Sequence, residues 1–182
     1  MKTNLLKNYS FLLFLGFVFN SCVNNLDFNQ VDYSATPVYN SPIIFFDLNQ
    51  NHFIDTATNT DILTLTEITN ITVFENSFIR DNTERVAITI EVNNQFNRNF
   101  TFAMDFLDGN NNVLYSAINF TAPSNQLTVP VIAPIVIANN QNFLSTRKIR
   151  VTIQMSAGTT MLDPDIIQNV SFKSTGIYYI RT

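Results

Sequence analysis

The chain has one cysteine, one histidine, four glycines and no tryptophan in 182 residues, and each scarcity closes off a class of chemistry. A single thiol, Cys22, allows no disulfide within the chain, so stability has to come from an apolar core. A single imidazole, His52, cannot supply paired nitrogens for zinc. Any Ser/His/Asp or Cys/His arrangement would hang on that one residue. Four glycines leave no glycine-rich loop to cradle a phosphate. Charge is sparse as well: 10 basic against 14 acidic side chains give a formal net charge of −4. The densest basic cluster is Arg147, Lys148 and Arg150. It falls on an alternating run that sends its side chains to both faces, so no basic stripe neutralises phosphates, and nucleic acid is not an expected partner. Asp163-Pro164-Asp165 brings two carboxylates together, but Asp-Pro initiates turns and the stretch reads as an exposed loop. The expectation is a protein that is not an enzyme and needs no cofactor.

What is present at the N-terminus is an address. Lys2 and Lys7 flank an apolar run from Phe11 to Phe19, followed by Asn20-Ser21-Cys22. A short apolar core behind a basic flank is a cleaved secretory signal, too short to span a bilayer. The Phe-x-Asn-Ser-Cys ending resembles a relaxed bacterial lipobox, in which the signal peptidase cuts before the cysteine and the thiol receives lipid. The relaxed form, together with a composition rich in Asn and Phe, resembles the small lipoproteins of Bacteroidota, of a flavobacterial type whose members carry no assigned activity. The resemblance implies a palmitate-bearing anchor at Cys22 and an outer-membrane address. One acyl chain holds a membrane marginally, whereas two or more, at about 0.8 kcal/mol per buried methylene, hold it durably. The implied organisation is a signal peptide over residues 1–21, a lipidated N-terminus and flexible tether over 22–35, and one domain over 36–182. No acidic cluster follows Cys22 directly. In such lipoproteins that cluster marks export to the cell surface, so the periplasmic face is the favoured side.

Within the domain the hydrophobic period is two. Val86, Ile88, Ile90 and Val92 alternate with polar or small neighbours, as do Phe100, Phe102, Met104 and Phe106, and Ile149, Val151, Ile153 and Met155. Half-buried strands require this pattern. Further strands are predicted over 43–48, 69–74, 113–121, 127–138 and 170–180, with no sustained helical stripe anywhere. Asp108-Gly109-Asn110 between two alternating runs predicts a tight hairpin, with Gly and Asn accepting positive φ. Seven to nine strands with one apolar face each predict an all-β, antiparallel two-sheet sandwich. The stretch from Phe106 to Asn110, followed by the run from Val113, resembles immunoglobulin-like and fibronectin-like modules of bacterial envelope proteins.

Three segments carry candidate sites. Asp47, Asn49, Asn51 and Asp55 place oxygens at positions 1, 3, 5 and 9 of a loop similar to the calcium loop of dockerins and EF-hands. His52 stands where that loop needs glycine and Thr58 where it closes with an acid, although Asp61 lies nearby; the alternative is a plain polar turn. Asp105, Asp108, Asn110 and Asn112 offer a second convergence of oxygens, or a simple hairpin. Asp55-Thr56-Ala57 resembles the Asp-(Ser/Thr)-aliphatic acceptor of Bacteroidota O-glycosylation, which would put a sugar on Thr56 and require it to be exposed. The apolar segment 127–138 contains Pro130 and Pro134, each lacking a backbone donor, which confines it to a sheet edge or a crossover. There Val129, Pro130, Val131, Pro134, Ile135 and Ile137 can dock a partner protein or close the protein's own core. Tyr178 and Tyr179 are adjacent, and alternation should bury one of them. The expected function is a lipid-anchored, non-catalytic docking subunit of an envelope protein complex; the alternative is a lipoprotein that binds a small ligand or glycan, with calcium as a possible stabiliser. Cys22→Ala should abolish incorporation of labelled palmitate, read by autoradiography of the immunoprecipitated protein.

Overall fold

In the computed structural model, which describes residues 37–181, the alternating runs become the strands of two antiparallel sheets. The signal segment, Cys22 and the tether expected over 22–35 lie outside the described residues. The first sheet runs β1 (Val38–Asn49), β11 (Asn169–Ile180) and β5 (Thr83–Asn94), with the short β8 (Gln126–Thr128) and β9 (Ile135–Val136) both pairing along the outer edge of β5. The second runs β4 (Thr64–Asn70), β10 (Lys148–Met155), β6 (Phe100–Leu107) and β7 (Val113–Ala122). The two-residue strands β2 (Ile54–Asp55) and β3 (Thr60–Asp61) pair only with each other. The fold is an all-β antiparallel sandwich, as the alternation predicts.

The inward positions are the ones the pattern marks. Val86, Ile88, Ile90 and Val92 of β5 and Val170 and Phe172 of β11 face Phe100, Phe102, Met104 and Phe106 of β6 and Ile149, Val151, Ile153 and Met155 of β10. The phenylalanines meet ring to ring across the gap between the sheets. Phe102 lies 5.5 Å from Phe172 and 5.6 Å from Phe120, and Phe172 stacks on Phe46 at 5.0 Å. A second group centres on Phe143, which touches Phe106 at 4.8 Å and Phe74 at 5.5 Å. Offset and edge-on ring pairs of this kind add about 0.5–1.5 kcal/mol each beyond the area they bury.

Three expectations shift. The strand predicted over 69–74 lies earlier, at β4, where Thr64 to Asn70 pair with Gln154 to Lys148 of β10. Beyond it the chain turns through a 3₁₀ segment (Val73–Glu75) that drops Phe74 into the core. A helix absent from the periodicity follows, α1 (Ser77–Asn82), capped by Asn76, whose Oδ1 accepts from the Ile79 N–H at 3.3 Å. Six residues are too few to show a helical stripe. In the β6–β7 hairpin the positive φ falls on Asn111 (68°) and not on Gly109. The Asp108 carboxylate sets that shape by accepting from the N–H groups of Asn110 and Asn112 at 2.8 and 2.9 Å, which fixes a longer loop with one left-handed residue.

Phe102→Ala should cost about 3–5 kcal/mol of unfolding free energy, whereas Phe45→Ala, at a side chain 65% exposed on the outer edge, should stay within about 0.5 kcal/mol. Equilibrium urea denaturation followed by circular dichroism checks both.

Candidate functional site

The inward parity that places Phe96 and Phe100 also sends Arg98 inward, so a guanidinium is buried at one pole of the sandwich. A buried charge needs a partner, and Arg98 finds one in β3. Its Nη1 donates to Asp61 Oδ2 at 2.6 Å, and its other terminal nitrogen donates to the Thr160 carbonyl. Asp61 Oδ1 accepts from the Leu162 N–H at 3.0 Å. Burial pushes the Asp61 carboxyl up, but the Leu162 amide and the Arg98 charge outweigh it and hold the group below the usual carboxylate range. Gly158 makes the approach possible, because a Cβ there would stand 2.5 Å from the guanidinium carbon.

Two buried amides extend this knot. Gln50 donates to the Pro164 carbonyl and accepts from the Gln168 N–H, both at 3.1 Å. Asn94 donates to the carbonyls of Arg98 and Pro123 at 2.8 Å and accepts from the Phe96 N–H at 2.9 Å. Together the four side chains tie the β5–β6 turn, the start of the β7–β8 turn, the β2–β3 hairpin and the long β10–β11 loop. Beside them opens a polar cleft of about 470 Å³, bordered by Asn97, Arg98, Thr160, Asp163 and Gln168. With Arg98 spent on Asp61, the cleft presents neutral hydrogen-bonding groups and one exposed carboxylate, Asp163.

Of the four side chains proposed for calcium, Asn49 and Asp55 have their oxygens engaged locally. Asp47 sits on β1 opposite Ser171. Asn49 caps a 3₁₀ turn (Gln50–Phe53), its Oδ1 accepting from the Asn51 N–H at 3.1 Å and lying 3.0 Å from His52 Nδ1. Asp55 closes its own turn, with Oδ1 accepting from the Ala57 N–H at 2.9 Å and Oδ2 from the Thr58 hydroxyl at 2.7 Å. The Thr58 hydroxyl, then the Ala57 and Thr58 amides, hold Asp55 below its ordinary pKa. Asp61, the nearby acid, is committed to Arg98. Asp105 binds Arg150 at 2.6 Å, away from the turn that Asp108 closes. No group of three or more His, Cys, Asp or Glu side chains converges among the described residues. Thr56 is exposed at the tip of the β2–β3 hairpin.

The proline segment lies where prolines allow a strand to lie. Thr128 pairs with Val92 and Ile135 with Val86, so residues 129–134 run along the outer edge of β5 outside its ladder. Leu127, Val129, Val131, Pro134 and Val136 point outward, and Val131 is fully exposed. Pro130 is half-buried. Ile135 and Ile137 correct the expectation for this segment: both are buried in the core, because a one-residue register shift across the prolines turns them inward. Alternation buries Tyr178 and leaves Tyr179 facing out under the Arg85 guanidinium, 3.9 Å from its ring centre.

No protein-family model matches the chain, and no curated protein matches its sequence. Among solved structures, a candidate secreted protein of Parabacteroides distasonis aligns at 15% identity with a TM-score of 0.46, over 63% of this chain and 38% of that one. Infectious bursal virus-derived T=1 particles align at 12% identity and a TM-score of 0.45, over 80% of this chain and 31% of the other. The pre-peptidase C-terminal domain of a Bacillus anthracis collagenase aligns at 8% identity and 0.34, over 76% and 88%. The chain thus spans under two-fifths of the first two structures it matches.

Arg98, Asn94 and Gln50 carry the pole, and sequence reasoning did not single them out. A signal was there for two of them: Asn94 and Arg98 both occupy inward-parity positions among apolar residues. Arg98→Met should cost about 3 kcal/mol by stranding the Asp61 charge, and Arg98→Met with Asp61→Asn should recover part of that loss. Since the folded pKa of Asp61 is depressed, its contribution is present above the ordinary value of 3.8 and lost as pH falls through the folded value. Asp61→Asn should therefore flatten the acid limb of the stability profile, measured as urea midpoints from neutral pH downward.

Proposed function

We propose that the protein is a lipid-anchored, non-catalytic envelope protein, held to the outer membrane through Cys22 and facing the periplasm, that docks as an accessory subunit on an envelope protein. In this reading the sandwich is an immunoglobulin-like display module, and the observation that carries it is the outward row of Leu127, Val129, Val131, Pro134 and Val136 along one sheet edge. A contiguous exposed apolar row marks an interaction surface more than scattered apolar residues do. Burying one such side chain against a partner contributes about 1.5–3 kcal/mol. The prolines keep this edge from templating a continuous ladder, which favours recognition by side chains over open-ended strand addition. The partner is therefore a protein with a complementary apolar ridge.

A C-terminally tagged copy drawn from native membranes in mild detergent should bring down one stoichiometric envelope protein, identified by mass spectrometry. Val129→Asp with Val131→Asp should lose that partner, while Thr66→Asp, at an exposed position on the opposite sheet, should keep it. No stoichiometric partner, or a partner indifferent to the paired aspartates, would overturn the docking reading.

A further inference from the structure

On the side of the sandwich opposite the apolar row, the edge strands β1 and β4 leave a cleft of about 190 Å³. Three features of the sequence build it. Pro42 breaks β1, whose register against β11 shifts between Pro42 and Ile44. The buried Ser174 takes over the lost ladder bonds, its hydroxyl accepting from the Ile44 N–H at 3.2 Å and donating to the Ile44 carbonyl at 3.3 Å. Gly176, paired with Ser41, lets the Tyr178 ring lie back along β11. A Cβ at Gly176 would stand 2.8 Å from the phenol oxygen, so only glycine permits that pose. A bulge, a serine that satisfies it and a glycine that accommodates a tyrosine all lie at the same stretch of the β1 edge.

Tyr178 is 2% exposed, borders the cleft, and makes no hydrogen bond through its hydroxyl among the described residues. No side-chain nitrogen or oxygen among the described residues is both sealed from solvent and unbonded, so the Tyr178 oxygen keeps an accessible edge although its ring is buried. Tyr178 is one of the side chains that line the cleft. Burial, then the neighbouring Tyr39, push its pKa up, so the phenol stays protonated and can both donate and accept. Around it stand the Tyr39 ring, 6.0 Å away and tilted, and the polar groups of Ser41, Asn70 and Thr72, with Pro42 as an apolar wall. Among the described residues no charged side chain lines the cleft.

We propose that this cleft is a binding subsite for an uncharged, hydroxyl-rich ring, a single neutral sugar residue, anchored by the Tyr178 hydroxyl. The chemistry selects such a ligand in three ways. Hydroxyls and an amide that donate and accept match sugar hydroxyls that do the same. Tyrosine faces offer apolar surface to the C–H side of a ring. A charged group would lose its hydration with nothing to replace it. The volume, below the roughly 300–1,000 Å³ of drug-sized pockets, suits one ring with the rest of a glycan outside. The site is independent of the docking row, and neither reading needs the other.

The test is isothermal titration of the full chain, purified in mild detergent, with glucose, galactose, mannose and N-acetylglucosamine, and with glucuronate and glucose 6-phosphate as charged counterparts. At least one neutral sugar should bind at millimolar concentration, and neither charged one should. Tyr178→Phe, which keeps the ring over Gly176, should weaken that binding about tenfold with an unchanged urea midpoint, and Thr72→Val should weaken it as well. Val131→Asp should leave it intact, which separates this site from the docking surface. Binding unaltered by both Tyr178→Phe and Thr72→Val, equal binding of charged sugars, or no heat with any neutral sugar would overturn the proposal.

Discussion

The phenylalanine layer between the sheets is the constraint on which everything else in the molecule depends. A chain with one cysteine cannot cross-link itself, and without tryptophan its largest apolar filler is phenylalanine. Rings from four different strands and two 3₁₀ segments therefore meet in the core, and the strand parity that brings them there also decides what every other residue on those strands does. Burying such rings, at about 25 cal/mol per Å² of apolar surface, is the term large enough to order long-range strand pairing.

Polar groups caught on the inward side of this layer are used at particular places. At one pole Asn94, Arg98 and Gln50, with Asp61, convert four loose connections into one bonded unit. At the β1 edge Ser174 bonds to the backbone where the ladder is broken, holding β1 to β11 across the irregularity. The first group closes a pole; the second spans a break in a ladder. Buried hydrogen bonds bring little net stability, yet leaving one unmade is costly, so each of these side chains determines where the backbone around it can go.

Most of the fold is legible in the sequence because four long strands, β5, β6, β10 and β11, alternate almost without error, and alternation is a local property. The edges are harder to read. β4 is rich in threonine, and threonine suits a half-exposed strand as well as a turn, so its position was set only by its register with β10. The proline segment was legible as an edge but not in its parity, since the one-residue shift between β8 and β9 arises from where both meet β5. Inward parity marks Asn94, Arg98 and Ser174 as polar residues in need of partners. It cannot name those partners, because Asp61 lies 37 positions from Arg98 and Ile44 lies 130 from Ser174.

The strand order bears on how the chain can be made. β10 lies between β4 and β6, and β11 between β1 and β5, so the last two strands occupy the middle of both sheets. As the polypeptide emerges from its N-terminus, β1 has no neighbour among the described strands until β11 arrives, and β4 waits for β10. Contacts of such sequence separation form slowly and leave strand edges open meanwhile. Until β10 and β11 are made, the β6–β7 hairpin and the short pairings along β5 can form, but β1 and β4 stand without their partners, and those open edges are where a holding chaperone would find the most to bind.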